Sequence, residues 1–211
     1  MSAALAGFCG ELPVWGDPRK QSLLSDPLAT LPTENHQTEE FNRVVLEANT
    51  RSWRSSTVGE EHVVRPPVYL VHSSMTCWKC GAPQVVVAIA AHNVEGLEDT
   101  VSVFSEVTSL PKELLAHMRK RCPTYRLRYS RTAEMRYFAN TCGSCAALFG
   151  DFYLHSEPGG AFFPDSEEAA ARMSVEVLPV RGEIRIAGWL GTGLGEIIMQ
   201  CAMRPGPVER A

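Results

Sequence analysis

An α+β fold of antiparallel hairpins interrupted by a helical insertion is predicted by three observations. Two cysteine pairs of the form CxxC, Cys77-Trp78-Lys79-Cys80 and Cys142-Gly143-Ser144-Cys145, are each flanked by β-branched and aromatic runs. The 61 residues between the pairs contain a stretch with apolar side chains at helical spacing. Short alternating and helical patterns follow the second pair. Two residues between cysteines let the chain turn back so that both thiolates point at one metal ion, and two such turns supply a closed tetrahedral shell.

The flanking runs give the strands. Val68-Tyr69-Leu70-Val71 leads into the first pair and Val85-Val86-Val87-Ala88-Ile89-Ala90 leads out, which predicts a hairpin with Cys77–Gly81 at its tip. Gly81 suits the position after the second cysteine, where positive φ is needed. Met135-Arg136-Tyr137-Phe138-Ala139 and the run from Ala147 to Leu154 predict a second hairpin of the same plan, with Ala146 in place of the glycine. In the insertion, Val101, Val103 and Val107 alternate as in a strand, and Leu110, Leu114, Leu115 and Met118 share a helical face with Pro111 in the first turn. Pro123 ends that helix, and Tyr125 to Tyr129 alternates as a returning strand.

Upstream, four prolines in residues 1–37 exclude long regular structure, and Thr38-Glu39-Glu40 starts an amphipathic helix presenting Phe41, Val44, Val45 and Ala48. Pro66-Pro67 marks a boundary. Downstream, Asp165 to Met173 reads as a short helix, Val175–Val180 and Glu183–Trp189 as a strand pair joined through Arg181-Gly182, and Glu196–Met203 as a last regular piece. The expected organisation is an extension over 1–66, a central domain over 67–165 with its insertion at 92–132, and an α/β extension over 166–211.

Composition narrows the class. The chain has 211 residues, 45% hydrophobic and 21% charged, a globular balance outside the disordered and fibrous ranges. Its most apolar segment, Ile184 to Cys201, is broken by Arg185, Glu196 and several glycines, so no membrane span of roughly 20 residues is expected. The N-terminus lacks a basic start and a sustained apolar stretch, so an intracellular, cytoplasmic location is expected. In that reducing setting seven cysteines, four of them in CxxC pairs, favour a metal over a disulfide framework.

The expected ligands are therefore Cys77, Cys80, Cys142 and Cys145. Their pairing, with the flanking strands, resembles the zinc-ribbon superfamily, in which two knuckle-tipped hairpins clamp one zinc ion. The resemblance implies a split ribbon holding a structural zinc, because simple ribbons separate their pairs by roughly 15–20 residues. CWKCG together with the run from Tyr137 to Gly160 also resembles a group of uncharacterised bacterial proteins, a likeness that implies no activity. Iron in a rubredoxin-like site uses the same four ligands, and a thiol-disulfide function is a further alternative, although neither pair opens a helix in the sequence pattern. Cys9, Cys122 and Cys201 read as small apolar residues.

Four other features bear on function. Asp151, His155 and Glu157 alternate at the expected strand end and read as solvent-facing; an enzyme built on them lacks a nucleophile or an open metal position. His72, His92 and His117 are isolated and read as structural, and Gly191-Thr192-Gly193-Leu194-Gly195 lacks the lysine of a phosphate loop. Residues 111–136 carry eight Lys or Arg against Glu113 and Glu134, a local charge of +6 in a chain of net −4, so the remainder carries −10. With Tyr125, Tyr129 and Tyr137 interleaved, that segment has the composition of a nucleic-acid contact. The leading expectation is a zinc-binding, non-enzymatic interaction module whose partner is a protein or nucleic acid, with no membrane association.

Overall fold

The computed structural model describes Arg43, residues 60–97 and residues 100–203. The expected helix after Thr38 lies outside the described residues apart from Arg43. Residues 60–203 belong to one compact unit, Glu34–Ala211.

In chain order the unit contains β1 (Glu61–Thr76), β2 (Pro83–Val94), β3 (Ser102–Ser109), α1 (Lys112–Arg121), β4 (Arg126–Ser130) and β5 (Met135–Ala139). There follow α2 (Asp151–His155), α3 (Glu167–Ala171), β6 (Ser174–Val177), β7 (Ile184–Thr192) and α4 (Leu194–Ala202). The fold is α+β, and every strand pairing is antiparallel. Strands β2, β3, β7 and β1 pair in succession and β1 returns to β2, which closes a small barrel; β6 is added along the far half of β1. β4 and β5 form a separate hairpin.

The long β1–β2 hairpin is the expected one, with register from Val64↔Val94 to Thr76↔Pro83. Its first strand is longer than expected, because Pro66-Pro67 falls inside β1. The register shifts there, between Arg65 and Val68, as it must where prolines supply no N–H to the ladder. Val86 to Ala91 are all buried, so β2 is covered on both faces. Val87, Ile89 and Ala91 enter one apolar cluster with Leu114, Met118 and Phe138, while Val86, Ala88 and Ala90 enter another with Phe149, Leu154 and Ile198. A strand buried on both faces reads as a continuous apolar run, which is the pattern in the sequence.

Three expectations are corrected. The segment after the second cysteine pair is not a returning strand: a single bridge, Thr141↔Leu148, is followed directly by α2. The second turn is thus carried by β5, which pairs with β4 instead. β6 and β7 do not pair with each other, since both lie against β1. Val101 and Val103 pack in a different cluster from Val107, because Glu106 adopts φ +47 and the β3–β7 register shifts between Ser105 and Ser109. One extra residue in a strand exchanges the faces that follow it.

Candidate metal centre

Each cysteine pair is set by the same two backbone hydrogen bonds. The Cys77 N–H donates to the Ala82 carbonyl and the Gly81 N–H returns to the Cys77 carbonyl, both at 2.9 Å. In the second turn the Cys142 N–H donates to Ala147 at 2.8 Å and the Ala146 N–H returns to Cys142 at 2.9 Å. The equivalent residues, Gly81 and Ala146, take φ +72 and +56, so alanine adopts the glycine-like conformation expected of this position. The two turns are bridged by the Trp78 Nε1–H, which donates to the Leu148 carbonyl at 3.0 Å, and by the Gly143 N–H, which donates to Gln84 Oε1 at 2.7 Å.

These turns bring Cys77, Cys80, Cys142 and Cys145 together, with all four sulfurs within 4.8 Å of one another. The Sγ–Sγ separations are 3.7 Å for Cys77–Cys145 and 3.6 Å for Cys80–Cys142. A disulfide needs about 2.05 Å, and all four cysteines are free. Sulfurs about 2.3 Å from a central tetrahedral ion lie about 3.8 Å apart, so the cluster has the size of a four-thiolate shell. It can bind a metal ion. Cys77 and Cys142 are buried against the second apolar cluster, Cys145 is half-buried and Cys80 is exposed, which places the cluster at the rim of that core.

The thiols already differ in acidity. Burial raises the Cys142 thiol, but the N–H groups of Cys145 and Ser144, aided by the Cys77 and Cys80 thiols, outweigh it and hold its pKa at about 6. At Cys80 the Ala82 N–H favours the thiolate, yet the three neighbouring thiols and desolvation push it up to about 12. Crowded thiols do not all ionise without a cation among them.

The other candidates separate. Asp151 and His155 occupy the first and last positions of the one-turn helix α2 and both line a cavity of about 260 Å³, whereas Glu157 is exposed and does not. Desolvation, with the nearby Glu106 carboxyl, raises Asp151 to about 7 against the opposing effect of the Glu106 N–H, which donates to Asp151 Oδ2 at 2.6 Å. Desolvation lowers His155 to about 3, and its ring packs 4.9 Å from that of Phe162. The solvent-facing expectation is therefore corrected for Asp151 and His155. Their cavity partners Glu106 and Trp189 carry no functional signal in the sequence, where Glu106 fits the polar side of the Val101–Val107 alternation and Trp189 ends an expected strand.

His72 and His117 are structural in placement, with Nε2 atoms 3.7 and 3.2 Å from the Glu176 carboxylate, which Arg121 also holds at 2.8 Å. His92 is exposed on β2. Gly193 turns the chain at φ +100 into α4, and Gly195 lies so close to the Val101 carbonyl that a Cβ has no room there. All eight cations of residues 111–136 are exposed, but Tyr125 and Tyr137 are 4% and 1% exposed, so of the interleaved rings only Tyr129 faces solvent. Cys122 and Cys201 are buried, and Cys9 lies outside the described residues. Among the described residues no helix is long and apolar enough to cross a membrane.

No family model, curated protein or solved structure matches this chain.

Proposed function

We propose that this chain is a non-enzymatic binding module held together by one structural zinc ion on Cys77, Cys80, Cys142 and Cys145. The observation that carries the reading is the pairing of sulfurs across two like-built turns at 3.6 and 3.7 Å, separations suited to a tetrahedral ion and unsuited to a disulfide. Four protein thiolates leave no coordination position for water or substrate, so the ion would act on folding rather than on chemistry. A redox dithiol belongs at a helix N-terminus, where the dipole lowers its pKa. Here Cys80 leads into β2, and Cys145 leads into the bridge at Leu148.

Elemental analysis of the purified full chain tests both metal and stoichiometry. One zinc per chain is expected, with loss of metal and of the cooperative thermal transition in Cys142→Ser, because site affinities of about 10–16 kcal/mol are folding free energy. Stoichiometric iron with visible thiolate-to-iron absorbance would replace zinc by the rubredoxin-like alternative. Absence of any stoichiometric metal, or a Cys142→Ser protein unchanged in metal content and stability, would overturn the reading.

A further inference from the structure

The cavity between β3, β7 and α2 is separate from the cysteine cluster, and its lining has an unusual charge balance. It presents two carboxyl-bearing side chains, Glu106 and Asp151, and no Lys or Arg. Much of the remaining wall is aromatic, including Phe152, Phe163 and Trp189. The volume of about 260 Å³ lies just below the roughly 300–1,000 Å³ typical of small-molecule sites. From these features we infer that the cavity binds a small organic cation, an amine.

The lining excludes the alternatives in turn. An anion would meet two carboxyl groups with no cation to receive it. A hydrocarbon would leave both carboxyl groups without a counter-charge. An ammonium placed among these rings gains from their π faces, and beside Asp151 and Glu106 it supplies the missing counter-charge.

The backbone is arranged around the same carboxyl. Glu106 holds φ +47, a strained conformation for a non-glycine residue that here aims its N–H at Asp151 Oδ2. From β5, the Tyr137 hydroxyl accepts the Asp151 backbone N–H at 3.3 Å. The titratable groups that face Asp151 are thus Glu106 from β3, Tyr137 from β5 and Tyr125 just before β4, with His155 beside it in the cavity wall. Of these, His155 is neutral near pH 7, because desolvation holds it at about 3, and burial raises both Glu106 and Tyr137. None supplies a cation. Ionisation of Asp151 near pH 7 therefore creates the charge that a bound amine neutralises, and affinity is expected to rise with pH through that range.

Titration calorimetry on the full, metal-loaded chain provides the test, with choline and ethanolamine as probes. The controls are 3,3-dimethylbutan-1-ol, the uncharged carbon twin of choline, and glycolate, an anion of similar size. At least one amine is expected to bind saturably, about tenfold tighter than either control, with affinity rising about tenfold between pH 6 and pH 8. Asp151→Asn should abolish the pH dependence, and Glu106→Gln, at a half-buried position, should weaken binding even if the Asp151 variant fails to fold. Metal content, followed alongside, should not change. No saturable heat below about 10 mM for either amine, equal binding of the uncharged twin, or indifference to Glu106→Gln would each overturn the inference while leaving the metal reading untouched.

Discussion

Asp151 and His155 sit one helical turn apart and are displaced in opposite senses by the same cause. Removal from water disfavours the charge on each, which raises the carboxyl from 3.8 to about 7 and lowers the imidazole from 6.5 to about 3. The consequences for stability oppose each other. Between about pH 4 and 7 the folded state holds the Asp151 proton more tightly than the unfolded chain, so this residue makes stability fall as pH rises. Between about pH 3 and 6.5 the unfolded chain protonates His155 and the folded state does not, so this residue makes stability rise with pH. Where the windows overlap the slopes largely cancel. Denaturant midpoints across that overlap should therefore steepen upward with pH in Asp151→Asn, whose amide oxygen can still accept from Glu106, and tilt downward in His155→Gln. Two variants with the slope of the parent would disprove the assigned environments. Neither displacement was legible in the sequence, because alternation alone put both residues on a solvent-facing strand end. Phe149 and Leu154 are as apolar as a strand would require, and five residues of helix are too few to establish a period.

At the level of the element, the two cysteine turns differ at one position, and the difference has a measurable sign. Gly81 adopts φ +72 with no side-chain cost and has open space where a Cβ would stand. Ala146 adopts φ +56 at the equivalent place and bears the left-handed penalty of an L-residue. Ala146→Gly should accordingly raise stability by about 0.5–1 kcal/mol, and Gly81→Ala should lower it by about 1 kcal/mol, both read from denaturant unfolding of the metal-loaded chain. A stabilising Gly81→Ala would mean that the turns are not equivalent. The turns and the β1–β2 hairpin were legible because local chemistry encodes them: cysteine spacing, a glycine after the pair, and an apolar run matched to a strand covered on both sides. The partners of β6, β7 and β5 were not. Pairing β6 and β7 through Arg181-Gly182 satisfied the local turn signal, but the long β1 offers each of them an antiparallel edge, a contact between residues more than a hundred positions apart in the case of Glu61 and Ala187. Pro66-Pro67 likewise signals a boundary only locally; in the sheet it coincides with the register shift that lets one strand serve two sets of neighbours.

Across the whole molecule, the cysteine cluster joins segments 61 residues apart, and the joint does not rest on sulfur alone. Asn140, 2% exposed and two residues before Cys142, forms two hydrogen bonds with the backbone of Val87 in the middle of β2. The Val87 N–H donates to Asn140 Oδ1 and Asn140 Nδ2 donates to the Val87 carbonyl, both at 2.9 Å. The backbone carbonyl of the same residue accepts from the Phe149 N–H at 3.0 Å, so one asparagine ties the strand between the two apolar clusters to both sides of the second turn. Truncation to alanine would leave a buried N–H and a buried C=O without partners, at about 1–3 kcal/mol each. Asn140→Ala is expected to cost at least about 2 kcal/mol and to weaken metal retention against a competing chelator, since the second turn would no longer be held in register with the first. Gln84→Ala removes the exposed hydrogen bond to the Gly143 N–H and should cost less than about 1 kcal/mol. If the two variants prove equally stable and hold metal equally well, the centre is positioned by its cysteines alone. If Asn140→Ala loses both, the barrel positions the second turn, and folding and metal binding form one cooperative unit.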